Sequence, residues 1–231
     1  PGFQFENPGL RVEMQTAFEA GTRFDTRLVR AELWAFRSYV SDAITRAPRT
    51  VAECPANTPA CGASWSRYQL VNAPGEARID GFEAAFRATP TPRITLRGTF
   101  AYTFGVGDNP APRSSNPLAP YETRVPLSRI PPMNGTTEAR FRITDRFHAG
   151  GAMRWALAQS RLALSDRSDG RIPVGGTPGF AVFDLRAGFR HHRDVVVNLV
   201  IENVTNVPYR YHGSSVNGAA RGLLASVDFG L

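Results

Sequence analysis

Four consecutive residues near the end of this 231-residue chain, Tyr209, Arg210, Tyr211 and His212, have the types best suited to holding a ligand. An arginine can clasp a carboxylate or phosphate through two parallel N–H bonds, and aromatic faces suit a planar molecule. Loop packing is the competing use of the same side chains. Catalysis finds less support. Ser66, Asp145 and His148 could be assembled into a nucleophilic triad, but nothing in their spacing favours it. There is no Gly-rich phosphate loop, no His-Glu-x-x-His and no Gly-x-Ser-x-Gly, so no enzyme activity and no cofactor is expected. His148, His191 and His192 fall at tight turns, where solvated interface positions explain them.

Cys54 and Cys61 are the two cysteines, seven apart in a polar, Pro-rich stretch. A metal needs more ligands than the neighbourhood offers. A loop disulfide fits better and implies an oxidising compartment. Closing so short a loop stabilises it by roughly 2.5 kcal/mol. The 27 basic residues are all arginine, and the formal net charge is +7. A nucleic-acid partner is not expected, because the arginines are spread along alternating segments and loops rather than clustered on one element. The chain starts at Pro1 without a leader-like segment, which reads as a processed product or a fragment.

The elements that carry these residues alternate with period two. Phe183, Leu185, Ala187 and Phe189 share one face, opposite Asp184, Arg186, Gly188 and Arg190. Val195, Val197, Leu199 and Ile201 repeat the apolar face, as do Leu223, Ala225, Val227, Phe229 and Leu231. Ile94, Leu96, Gly98, Phe100, Tyr102 and Phe104 form the cleanest such row. Side chains of a strand point alternately to its two faces, so each segment has one face in an oily medium and one in a polar medium. In the strand over 26–43 the pattern is poorer, because Trp34 and Phe36 fall on the polar face; a bulge would reconcile them. The strand around 66–89 is expected to kink at Asn72-Ala73-Pro74-Gly75-Glu76.

Nine strands result, and their connections alternate between tight and long. Turns near 22–25, 89–92, 144–146 and 191–194 separate long loops over 44–66, 105–134, 159–179 and 204–221. Outer-membrane barrels have short turns on one side and long loops on the other, whereas a soluble sandwich shows no such strict alternation. The expected fold is therefore all-β, an antiparallel transmembrane barrel segment occupying 1–231 with no separate second domain. A bacterial single-chain barrel normally has an even number of strands, and nine standing as an open sheet in lipid would leave two edges unpaired at several kcal/mol per polar group. The chain is thus expected to be the C-terminal part of a larger barrel or one chain of a split one.

The residues resemble the C-terminal barrel of TonB-dependent outer-membrane receptors. Four places carry the likeness: the strand-turn-strand from Val12 to Asp42; Asn72 to Glu83; Pro126-Leu127-Ser128-Arg129-Ile130-Pro131-Pro132 together with Asp169-Gly170-Arg171-Ile172-Pro173; and Ile201-Glu202-Asn203-Val204-Thr205-Asn206-Val207-Pro208-Tyr209-Arg210. The resemblance implies a barrel of about 22 strands closed by a plug domain. It also implies uptake of a scarce ligand such as an iron siderophore, haem or cobalamin, driven by an inner-membrane TonB complex. Plug, TonB box and earlier strands are not in this chain. Its end at Leu231 departs from the family's aromatic terminus, although Phe229 lies on the same face.

Partners implied are the remainder of the barrel and the plug, in the same gene or a partner chain; the TonB complex through that plug; and the lipid and lipopolysaccharide of the Gram-negative outer membrane. Glu83, Arg97, Glu138, Arg140, Arg142 and Arg186 are expected on the inner polar face, bonding the plug or one another. Three other readings stand beside this one: a structural or adhesive barrel built from split chains without active import, an outer-membrane barrel enzyme, and a soluble β-sandwich.

Overall fold

The computed structural model describes residues 2–62, 66–110, 113 and 116–230, and strands dominate it. In chain order these are β1 (Gly2–Phe5), β2 (Met14–Asp25), β3 (Val29–Ser41), β4 (Ile44–Pro48), β5 (Ser66–Asn72), β6 (Glu76–Thr91) and β7 (Ile94–Asp108). They continue with β8 (Arg124–Pro126), β9 (Asn134–Arg142), β10 (Phe147–Ala156), β11 (Phe180–His192), β12 (Val195–Glu202) and β13 (Gly222–Phe229). Two single-turn helices, α1 (Pro59–Gly62) and α2 (Leu164–Arg167), lie in loops. The nine long strands form one sheet in the order β13-β12-β11-β10-β9-β7-β6-β3-β2, with β8 added beside β7. Each long strand therefore pairs with the next, and the sheet ends at β2 and β13 rather than closing on itself.

Which face meets the polar medium is decided by burial. Leu185 is 52% exposed and Phe183 45%, whereas the intervening Asp184 is 3% exposed and Val182 fully buried. A water-soluble sheet has the opposite arrangement. Phe141, Phe189, Val197, Leu199, Leu223 and Val227 extend the same exposed apolar surface. An apolar surface this extensive needs a covering phase, and a bilayer's hydrocarbon supplies it.

Two compact units divide the chain. The first comprises residues 1–18, 37–79 and 105–127. Within it β4 and β5 form an antiparallel hairpin, Ile44 opposite Asn72 and Pro48 opposite Tyr68. β1 joins β5 in parallel, so the small sheet runs β1-β5-β4. Cys54 and Cys61 are disulfide-bonded in the hairpin's tip, with Cα atoms 5.7 Å apart. The expected long loop over 44–66 thus begins with β4, which pairs with β5, and the rest of it forms the tip between them, while the expected kink at 72–76 separates strands of two different sheets. There the Asn72 side chain accepts the Arg11 N–H at 2.8 Å and donates to the Asp42 carbonyl at 2.7 Å. Gly75 turns with φ +71°, and a Cβ there would collide with the Asp108 carboxylate.

The second unit comprises residues 19–36, 80–104 and 128–231. Its hairpins turn over 26–28, 92–93, 143–146 and 193–194, so the first turn falls later than 22–25. Thr26 accounts for the shift, because its hydroxyl accepts the N–H groups of Leu28 and Val29. On β3, Trp34 and Phe36 do occupy the polar face. Trp34 lies over Gly21 and Phe36 over Gly81, so neighbouring glycines make the room that the alternation appeared to deny them.

Candidate functional site

The second unit's sheet bears two polar groupings, one where the long loops leave it and one beside the tight hairpins. The first is built on Asn203. Directly after β12 it adopts φ 48°, a left-handed conformation that asparagine tolerates better than most residues. Its backbone N–H donates to Asp184 Oδ1 at 3.0 Å, its amide donates to the Val207 and Ala219 carbonyls, and its Oδ1 accepts the Val207 N–H. Asn206, also left-handed, accepts the Arg221 N–H. The two asparagines of the Glu-Asn-Val-Thr-Asn motif therefore fold the 203–221 loop back on itself.

That fold fixes where the four candidate ligand residues go. Tyr209 is 8% exposed. Its ring packs 4.9 Å from that of Phe180, receives Arg154 at 5.8 Å, and lies so close over Gly218 that a Cβ there would be 2.0 Å from it. Arg154 also bonds Asp184 at 3.3 Å. Tyr211 stands edge-on to Phe180 with centroids 5.3 Å apart and leaves half its surface open. Arg210 donates to Asn217 at 2.8 Å, and His212 Nδ1 shares a 2.9 Å hydrogen bond with the Thr177 hydroxyl. Burial holds His212 towards its neutral form, with Arg129 acting the same way and Asp166 opposing. So the structure brings Tyr209 and Tyr211 together on Phe180 and sends Arg210 and His212 to separate partners.

Beside this loop a second knot joins residues not singled out individually from sequence. Asp166, 2% exposed, accepts hydrogen bonds from the Ser128 hydroxyl at 2.5 Å and the Arg129 N–H at 3.1 Å. The Arg129 guanidinium reaches the Asp169 carboxylate and the Gly213 carbonyl. Arg171 bonds Asp169 through both its backbone N–H and its guanidinium, and these bonds, reinforced by Arg129, push Asp169 well below the usual carboxylate range. Both partner segments were legible as motifs, Pro126 to Pro132 and Asp169 to Pro173. Asp166 carried no signal of its own.

The inner-face candidates lie on neighbouring strands. Glu138 on β9 is opposite Arg97 on β7 and bonds Arg186 of β11 at 2.9 Å. Arg142 is opposite His148, Arg140 is opposite Gly150, and Glu83 is exposed on β6. Arg97, Glu138, Arg140 and Arg142 line a concavity of about 520 Å³ beside the hairpin turns. Glu138, Arg140 and Arg186 line a smaller one of about 200 Å³. Of the triad considered from sequence, Ser66 lies in the first unit, and Asp145 and His148 in the second.

The chain matches, over residues 1–206, a family model described as TonB dependent receptor-like, beta-barrel. No curated protein matches the sequence. Among solved structures it is similar to a copper transporter, OprC, at 22% identity and TM-score 0.72, over 95% of this chain and 32% of that one. It is also similar to the FrpB iron transporter of Neisseria meningitidis (19% identity, TM-score 0.70, 99% and 33% covered) and to the ferric-catecholate import receptor Fiu of E. coli K12 (18%, 0.65, 96% and 28%). The chain spans about a third of the length of these structures.

Proposed function

Because the chain belongs to the TonB-dependent receptor β-barrel family, we propose that it forms the C-terminal wall of a receptor importing a scarce ligand of the iron-siderophore, haem or cobalamin class. Its place is the Gram-negative outer membrane. The family is one of receptors and transporters rather than enzymes. The observation that carries the reading is the inverted sheet, with Leu185 open and Asp184 buried. Such a sheet can stand in lipid once strands outside residues 1–231 pair with β2 and β13.

In this reading, residues 1–231 are one portion of a single barrel. The exposed half of Tyr211 and the neighbouring Arg210 and His212 contact ligand at the outer mouth, and Tyr209 anchors the loop that presents them. Glu83, Arg97, Glu138, Arg140, Arg142 and Arg186 face a plug inside. The TonB complex pulls on that plug, and lipopolysaccharide meets the outer rim. Of the similar proteins, one is an iron transporter, one a ferric-catecholate import receptor and one a copper transporter, which supports a metal-bearing cargo.

Growth of cells with the full-length gene deleted, supplied in turn with single siderophores, haem or cobalamin as the only source, tests the proposal. Loss of growth on one of them, repeated when TonB is removed, is expected. Uptake that survives TonB removal would instead support a barrel without active import.

A further inference from the structure

Strand register sets Trp34 and Phe36, the two rings on the polar face of β3, beside a carboxylate that has no cation. The Thr26 N–H bonds the Val29 carbonyl, and counting back from that pair puts Gly21 opposite Trp34 and Arg23 opposite Glu32. Contacts agree, since Trp34 lies over Gly21 and Arg23 bonds Glu32 at 3.2 Å. The Thr89 N–H bonds the Leu28 carbonyl, which puts Phe36 opposite Gly81 and Trp34 opposite Glu83 on β6. Across the sheet, Phe86 over Gly98 fixes β6 against β7 and puts Ala101 beside Glu83. Gly81 and Ala85 flank Glu83 on its own strand. None of these neighbours carries a positive charge.

Three other carboxylates of this face are paired. Asp25 bonds Arg30 at 2.9 Å, Glu32 bonds Arg23, and Glu138 bonds Arg186. Glu83 is exposed and, among the described residues, has no ion-pair or hydrogen-bond partner. Trp34 leans towards β2 and away from Glu83, which opens a niche between indole and carboxylate whose Cβ atoms stand roughly 5 Å apart. Phe36 leans over Gly81 and bounds the niche on the long-loop side. The indole keeps 36% of the residue's surface open. Glu19, opposite Phe36, stands on the edge strand β2, and the niche is complete without it.

Charge selects the occupant. An anion meets the like charge of Glu83, and a bare metal ion finds too few oxygen ligands. A neutral ring would cover the carboxylate and leave it unpaired. An ammonium group lies against the electron-rich face of the indole while its charge meets Glu83. We propose that Trp34, Phe36 and Glu83 form a site on the lumen wall for an organic ammonium group. The site rests on the receptor reading for its source, a cargo passing along the wall, and adds the charge of the group that cargo presents there.

The test uses the full-length receptor carrying fluorine-labelled tryptophan, with the Trp34 signal identified by its loss in Trp34→Phe. Choline, at ionic strength held constant with sodium chloride, is expected to move that signal saturably. Its uncharged isostere, with carbon in place of nitrogen, should bind at least about tenfold more weakly. Glu83→Gln, in a barrel that still shifts on a gel after heating, should weaken choline about threefold to tenfold. Equal binding of choline and isostere to the wild type overturns the proposal and needs no variant. So does the lack of a saturable shift below about 100 mM choline, the result if a protein segment already fills the niche, and so does unchanged choline binding in the folded Glu83→Gln barrel. In cells, saturating choline should slow uptake of the cargo identified by growth at least about twofold; full uptake would take the niche off the cargo route and overturn the assignment. The titration needs neither TonB nor cargo, so uptake that ignores TonB would sink the import reading and leave the binding result standing.

Discussion

Ser128 and Asp166 meet through a 2.5 Å hydrogen bond from hydroxyl to carboxylate, 38 residues apart in sequence. The same carboxylate takes the Arg129 N–H, and Arg129, left-handed at φ 63°, extends to Asp169 and to the Gly213 carbonyl. Segments before β9, before β11 and before β13 are thereby tied at one place.

Asp166→Asn should loosen that knot. A hydrogen bond to a buried charged group contributes about 1.5–3 kcal/mol, so local opening should rise by one to two orders of magnitude. Amide exchange over 159–171 and 127–130 in the full-length receptor should quicken accordingly, while strands β9 to β12 keep their protection. Uniform loss of protection through the strands would contradict a local role.

Acidification should separate two contacts in the outer loops. Asp169 is depressed chiefly by Arg171. Its contribution is complete above the usual carboxylate pKa of about 3.9 and is lost only as pH falls below that range. His212 is also depressed, in its case by burial first. Its neutral form stabilises the fold above the ordinary histidine pKa of about 6.5, and that contribution is lost as pH drops through its lower folded value. Between pH 7 and 5, exchange-rate-corrected protection should fall around 211–218 and hold around 169–171. His212→Gln should flatten the first response.

Leu185→Arg tests which face meets lipid. An arginine on the hydrocarbon side costs about 2–4 kcal/mol at mid-membrane. Urea unfolding of the receptor in lipid vesicles should shift by that amount. The same substitution at exposed Val174, which lies in a loop outside the strands, should change little. An unaffected Leu185 variant would mean that this face is not in the bilayer.

Removing the disulfide should be felt only locally. Cys54→Ser with Cys61→Ser should raise protease cleavage between 49 and 65 by lifting a constraint of roughly 2.5 kcal/mol. The heat shift of the barrel on a gel should not move.

The nine long strands, their tight and long connections and the apolar face were legible in the chain because each is a local consequence of period-two alternation between two media. Trp34 and Phe36 looked misplaced because the glycines that receive them, Gly21 and Gly81, stand on other strands. β4 was hidden at the start of the polar loop expected over 44–66, and β5, read as the first part of one kinked strand around 66–89, belongs instead to β4's small sheet. Tyr209 illustrates the same limit at the candidate site. Its type suggested a ligand contact, and its burial follows from Phe180, Arg154 and Gly218, the first two 29 and 55 residues away in sequence.

Sequence alone determined that this protein alternates between an oily and a wet medium and turns back at unequal ends, because a strand's side-chain period needs no partner to be expressed. Tertiary structure decided which polar groups are tied together and which carboxylate stands without a cation. Those relations depend on left-handed residues such as Asn203 and Arg129 and on strand register, which bring together groups that no short stretch of chain contains.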